Sequence, residues 1–154
     1  MPEDPSSPSE PPLLPISPVI LIRLGSILFA GLMLGHMSGY PWASTNLEQQ
    51  AKLVDAMKSV NFVFAGEPQT YWNLYTGWGI LVAALLLSIS VILWQISSFA
   101  AVEPRRVGLI TGATAILSIC GFYISFIFFY IPPTIFFAFE FIVMLIATIK
   151  LLSR

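Results

Sequence analysis

Residues 107–149 read VGLITGATAILSICGFYISFIFFYIPPTIFFAFEFIVMLIATI, and this run decides the fold. It holds a single charge, Glu140, and is interrupted only by Ile131-Pro132-Pro133. A bilayer core of about 30 Å requires ~20 apolar residues per helical span. The run is therefore two transmembrane helices joined by a tight turn at the prolines, with one carboxyl left inside the second. An ionisable group at membrane depth is costly and marks a functional candidate by default.

The rest of the chain follows the same reading. Apolar residues make up 56% of the sequence and charged ones 10%, a membrane composition. Two further apolar stretches precede the run, so the expected fold class is all-α: a four-helix transmembrane bundle with spans at 18–37, 73–97, 107–130 and 132–151. Residues 1–16, rich in Pro and Ser, form an expected disordered tail, and 17–154 form the membrane domain. The tail has no Lys or Arg and so lacks the basic start of a cleavable signal.

Four spans place both termini on one side. With the termini inside, Arg23, Arg105, Arg106, Lys150 and Arg154 face the cytoplasm, against Lys52 and Lys58 outside. The positive-inside rule favours that orientation. Trp72 and Trp94 lie 22 residues apart, ~33 Å of helix, and match the two membrane interfaces of the second span.

Several chemistries are excluded. Arg105-Arg106 is the only adjacent basic pair and the net charge is −1, so nucleic acid is not an expected partner. Cys120 is the only cysteine and His36 the only histidine, which removes intrachain disulfide chemistry and a bis-His haem. Met33, His36 and Met37 are soft ligands on neighbouring turns, of a kind that suits Cu(I). Methionines at this spacing are ordinary packing residues, and neither a metal nor a cofactor is expected.

The first loop, 39–69, contains Thr45-Asn46-Leu47-Glu48, a capping-box pattern. Leu47, Ala51, Val54 and Met57 then recur on one helical face, predicting a short amphipathic helix. It lies on the outer surface or caps the bundle; the alternative is a lid over an outward-facing cavity.

Gly31, Gly35 and Gly39 form overlapping GxxxG repeats in the first span, and Gly108 and Gly112 a further pair in the third. Such residues allow helix backbones to approach, either within the bundle or toward a second copy or another membrane protein. Thr111, Thr114, Ser118, Gly121 and Ser125 make a polar stripe along the third span. Its plain reading is adhesion between helices, its alternative a track for a ligand or proton.

Reflection about the Ile131-Pro132 turn sets Glu140 level with Tyr123. His36, Tyr75 and Trp78 fall in the same outer layer. Glu140, His36, Tyr123, Tyr75 and Trp78 are thus the candidate ligand or proton site. Structurally, Glu140 is a protonated acid hydrogen-bonded to a neighbouring helix. Functionally, it is a proton carrier or the counter-ion of a cationic ligand. Eight phenylalanines between Phe122 and Phe141 flank the turn and face lipid, each other or such a ligand.

Gly35-His36, Val54-Asp55-Ala56-Met57-Lys58 and Tyr71-Trp72-x-x-Tyr75-x-Gly77-Trp78-Gly79 together resemble a family of small, uncharacterised bacterial four-helix membrane proteins. The likeness spans roughly residues 32–95. It implies a bacterial inner-membrane setting and the four-helix layout, and no mechanism. A lone buried Glu among aromatics is also similar to small multidrug exporters, which differ in carrying the acid in their first helix.

Three functions stand open. The first is a small structural or accessory membrane protein, associating through the glycine faces. The second is a binder or carrier of a lipophilic or cationic ligand using Glu140. The third is an enzyme acting on a lipid or quinone, with His36 and Glu140 as acid and base, which requires both within reach of substrate.

Overall fold

A computed structural model describes residues 16–39 and 47–153. In chain order the elements are α1 (Pro18–Gly39), α2 (Glu48–Ser59), β1 (Asn61–Phe64), β2 (Glu67–Thr70), α3 (Tyr71–Ser97), α4 (Pro104–Phe128) and α5 (Ile131–Leu152). The four long helices α1, α3, α4 and α5 are each long and apolar enough to cross a membrane. The expected tail, except Ile16, and the Thr45-Asn46 part of the capping box lie outside the described residues.

Local chemistry sets the helix ends. Thr70 Oγ1 accepts a hydrogen bond from the Asn73 amide at 3.1 Å, so α3 starts at Tyr71, directly off β2. α4 starts at Pro104, earlier than hydropathy alone predicts, because proline is well suited to the first helical position. Leu47 is extended at the N-cap of α2, so that helix starts at Glu48 without a side-chain cap.

The turn before α5 is a correction. Phe129 and Tyr130 carry the non-helical backbone, while Ile131, Pro132 and Pro133 already belong to the first turn of α5. Proline at the start of a helix costs no hydrogen bond, because the first amides have no intrahelical acceptor. The prolines therefore open the helix rather than make the bend, and the α4–α5 register moves by several residues.

A β-hairpin, not anticipated above, separates α2 from α3. Val63 pairs with Pro68 and Phe64 with Glu67 around Ala65-Gly66. Both turn residues have positive φ, 52° and 89°, the requirement of a type I′ turn. The β-prone Phe62-Val63-Phe64 run ending in Ala65-Gly66 is the signal that could have revealed it. Alanine at positive φ is strained by roughly 1–2 kcal/mol, and asparagine is better tolerated there. Ala65→Asn is therefore expected to stabilise the hairpin by about 0.5–1 kcal/mol. Slower amide exchange across residues 61–70 checks this, and unchanged exchange counts against it.

Around the bundle the order is α3–α1–α5–α4, with only slight backbone approach between α3 and α4. The densest core lies toward the end that carries the termini, where Ile22, Leu93, Ser97, Ala100, Val107, Thr111, Ala147 and Leu151 are buried. Reciprocal bonds fasten α1 to α3: Ser26 Oγ donates to the Ser90 carbonyl (2.7 Å) and Ser90 Oγ to the Ser26 carbonyl (2.8 Å).

Close approach of α1 to α5 depends on Gly25, where a Cβ would lie 2.7 Å from Glu140 Oε1 and collide with Met144. At Gly121 a Cβ would lie 2.6 Å from the Phe137 ring. Gly108 and Gly112 lie against Leu151–Leu152 and Thr148, and Gly31 lies against Phe136. Gly35 and Gly39 have nothing near their Cβ positions, so the end of the GxxxG run packs no helix within the described residues.

The hydroxyl stripe of α4 is only partly adhesive. Thr111, Thr114 and Ser118 each donate to a carbonyl of their own helix. Across to α5, Thr148 Oγ1 donates to Thr111 Oγ1 at 2.9 Å.

Tryptophans mark both ends of α3. The Arg23 guanidinium lies over the Trp94 ring at 5.1 Å and donates to Ser97 Oγ, and the Lys58 ammonium lies over Trp72 at 4.9 Å. Each ring thus holds a cation at one end of the span, as interfacial aromatics do.

Candidate functional site

Glu140 sits on the inner face of α5, 2% exposed. Gly25 leaves room for its carboxyl, and Leu28, Phe29, Leu32, Phe136 and Phe137 close around it, leaving a gap too tight for water. Both carboxyl oxygens are buried and have no hydrogen-bond partner among the described residues. The interhelical hydrogen bond expected for it is not formed. A buried polar group without a partner costs roughly 1–3 kcal/mol.

The register explains its surroundings. Gly112 lies against Thr148 and Gly121 against Phe137, which brings Glu140 level with Ser118 rather than Tyr123. Reflection about Ile131-Pro132 placed the turn two residues too late. Tyr123 is 64% exposed and belongs to the outer surface of α4.

His36 belongs to a different cluster. It lies near the end of α1, half-buried, with Nε2 3.0 Å from the Gly79 carbonyl oxygen. Since a carbonyl only accepts, Nε2 must carry the proton in this hydrogen bond. Gly25 and Phe29, beside Glu140, precede it by eleven and seven residues, ~16 and ~10 Å of helix. The acid–base pair required for catalysis is not assembled.

Neither Tyr75 nor Trp78 lines the pocket around Glu140. Trp78 is 60% exposed and lines a shallow groove beneath Phe62 and Phe64 of the hairpin, and the Tyr75 ring lies 6.0 Å from that of Trp72. Of the five candidates, His36 alone lines the main cleft, and Glu140 lies just below it.

That cleft, about 230 Å³, opens at the hairpin end of the bundle. α1 contributes Gly31, Leu32, Gly35 and His36, and α3 contributes Val82 and Leu86. α4 supplies Ser125, the turn after it Phe129 and Tyr130, and α5 Pro132, Pro133, Phe136 and Phe137. The walls are mostly apolar and aromatic, with side-chain polar groups at His36, Ser125 and Tyr130, the pattern of a small-molecule site. A dry cavity of ~150 Å³ accommodates benzene, so this volume suits a ring bearing a short chain.

Leu32, Phe136 and Phe137 line both the cleft and the Glu140 pocket, forming the partition between them. Phe137 is wedged between the Gly121 backbone and the edge of Phe29, with ring centroids 6.5 Å apart. Phe136 faces Gly31, where the missing side chain gives its ring more room. Sequence reasoning found Glu140 and His36. It missed Gly25, Phe29 and the partition, which depend on helix rotation.

Four apolar spans around a small cleft define the class: a multi-pass α-helical membrane protein. Comparison with protein-family models, curated proteins and solved structures found no match.

Proposed function

We propose that this membrane protein binds a small lipophilic molecule in the cleft between its four helices. The carrying observation is the cleft itself: all four spans line it, and its walls are almost wholly apolar. The basic residues Arg23, Arg105, Arg106, Lys150 and Arg154 support cytoplasmic termini, so the cleft opens outward. The resemblance described above supports a bacterial inner membrane.

Gly35 provides the test. It lines the cleft, yet nothing lies within 4 Å of its Cβ position. Gly35→Phe is expected to leave the fold intact and weaken binding of an alkylbenzene at least tenfold, about 1.4 kcal/mol. Titration of the protein in nanodiscs reads this. Equal affinity in the two proteins rejects the cleft.

The exposed Gly39 favours a second reading, an accessory protein that docks a second copy or another membrane protein on this face. Gly39 does not line the cleft. Gly39→Leu in the same titration should leave ligand affinity unchanged, whereas loss of self-association with ligand affinity unchanged supports the accessory reading.

A further inference from the structure

We infer that the cleft's ligand carries a cationic nitrogen and that Glu140 is its counter-ion. This rests on the cleft reading and deepens it. Glu140 is 2% exposed, both its oxygens lack partners among the described residues, and it lies directly behind the cleft floor. The groups around it on α1 and α5 are apolar, and among the described residues it faces no Lys, Arg or His: His36 lines the upper cleft, and Lys150 and Arg23 lie toward the other end of the bundle.

A structural carboxyl in this position would be expected to bond a neighbouring hydroxyl. Ser118, at the same level, donates instead to the Thr114 carbonyl, and Ser26 is bonded to Ser90. The carboxyl is held for something the described residues do not supply. Paired with a charge, a buried carboxylate recovers part of its desolvation cost, whereas alone it cannot.

The walls narrow the chemistry. Phe129, Phe136 and Phe137 present aromatic rings to the cleft, and the faces of such rings attract cations. A metal ion is disfavoured, because Glu140 belongs to no cluster of three or more His, Cys, Asp or Glu among the described residues. An organic ammonium with an apolar body suits both parts, the body in the cleft and the nitrogen at the carboxylate; because the gap around Glu140 is closed, the Phe136 ring must move aside to admit it. If an uncharged amine enters, the Glu140 proton moves to its nitrogen. If a permanently charged ammonium enters, that proton leaves to water.

Benzyltrimethylammonium and neopentylbenzene test this, since they share a shape and differ by one charge. Wild-type protein in nanodiscs is expected to prefer the cation at least tenfold, and Glu140→Gln to abolish that preference while still binding the hydrocarbon. Equal preference in the two proteins overturns the counter-ion role and leaves the cleft standing. If wild type binds neither compound, the cleft reading fails and this inference with it. Should Glu140→Gln not fold, labelling of wild-type Glu140 by dicyclohexylcarbodiimide replaces it. Protection by the cation but not by the hydrocarbon supports the pairing. Equal protection, or no labelling, overturns it.

Discussion

Gly25→Leu is expected to destabilise the protein by about 3 kcal/mol or more, in the upper range for an overpacked core. The Cβ alone would meet Met144 Cε and stand 2.7 Å from Glu140 Oε1. Met144 is fully buried, so its methyl has no free space to enter. The substitution wedges α1 from α5, the contact that joins the α1–α3 pair to the α4–α5 pair.

Its sign distinguishes packing from propensity. Replacing a helical glycine by alanine ordinarily gains up to ~1 kcal/mol, the expected result at the open Gly35. At Gly25 even alanine is expected to destabilise. Met144→Ala in the same chain should recover part of that loss, with a coupling of about 1 kcal/mol in a double-mutant cycle. Reversible unfolding in mixed micelles measures all four proteins. Additive effects of the two substitutions would show that Gly25 does not oppose Met144.

Glu140→Met is expected to stabilise the protein by about 1–3 kcal/mol, the usual cost of an unpartnered buried polar group. Methionine is unbranched and of similar length, and its thioether requires no partner. The neighbours it would meet, Leu28, Phe29, Leu32 and Phe137, are all apolar. The same micelle unfolding reads the effect. A loss of stability would mean that Glu140 has a structural partner, and the site would lose its main support. A gain in stability accompanied by loss of the preference for a cation is the signature of a group retained for function.

These two predictions differ in how far they could be foreseen. Glu140 stands out in the bare sequence because it is the only charge between Val107 and Ile149. Its burial followed from membrane cost alone. Gly25 gave no such signal: it stands outside the GxxxG repeats, and only the register of α1 against α5 reveals its role. The more regular glycines, Gly35 and Gly39, face open space. A repeat of small residues shows where close approach is permitted, not where it occurs.

The pairing of Glu140 with Tyr123 failed for a related reason. It assumed that the two prolines make the bend, but Phe129 and Tyr130 do. Moving the turn by two residues moves the facing position by about four, a full helical turn, and Ser118 takes the level assigned to Tyr123. The hairpin at residues 61–70 was legible in principle, since its Ala-Gly turn sits between a β-prone apolar strand and a proline-bearing edge.

Hydropathy, proline placement and the isolated acid determined from sequence alone that four helices are long and apolar enough to span a membrane and that one carries a lone carboxyl. Those are properties of single segments against a solvent, and each residue contributes independently. Helix rotation and register, the cleft, and the separation of His36 from Glu140 were decided only by tertiary structure. They arise from the fit of one surface against another, where the absence of a single Cβ at Gly25 or Gly121 sets which faces meet.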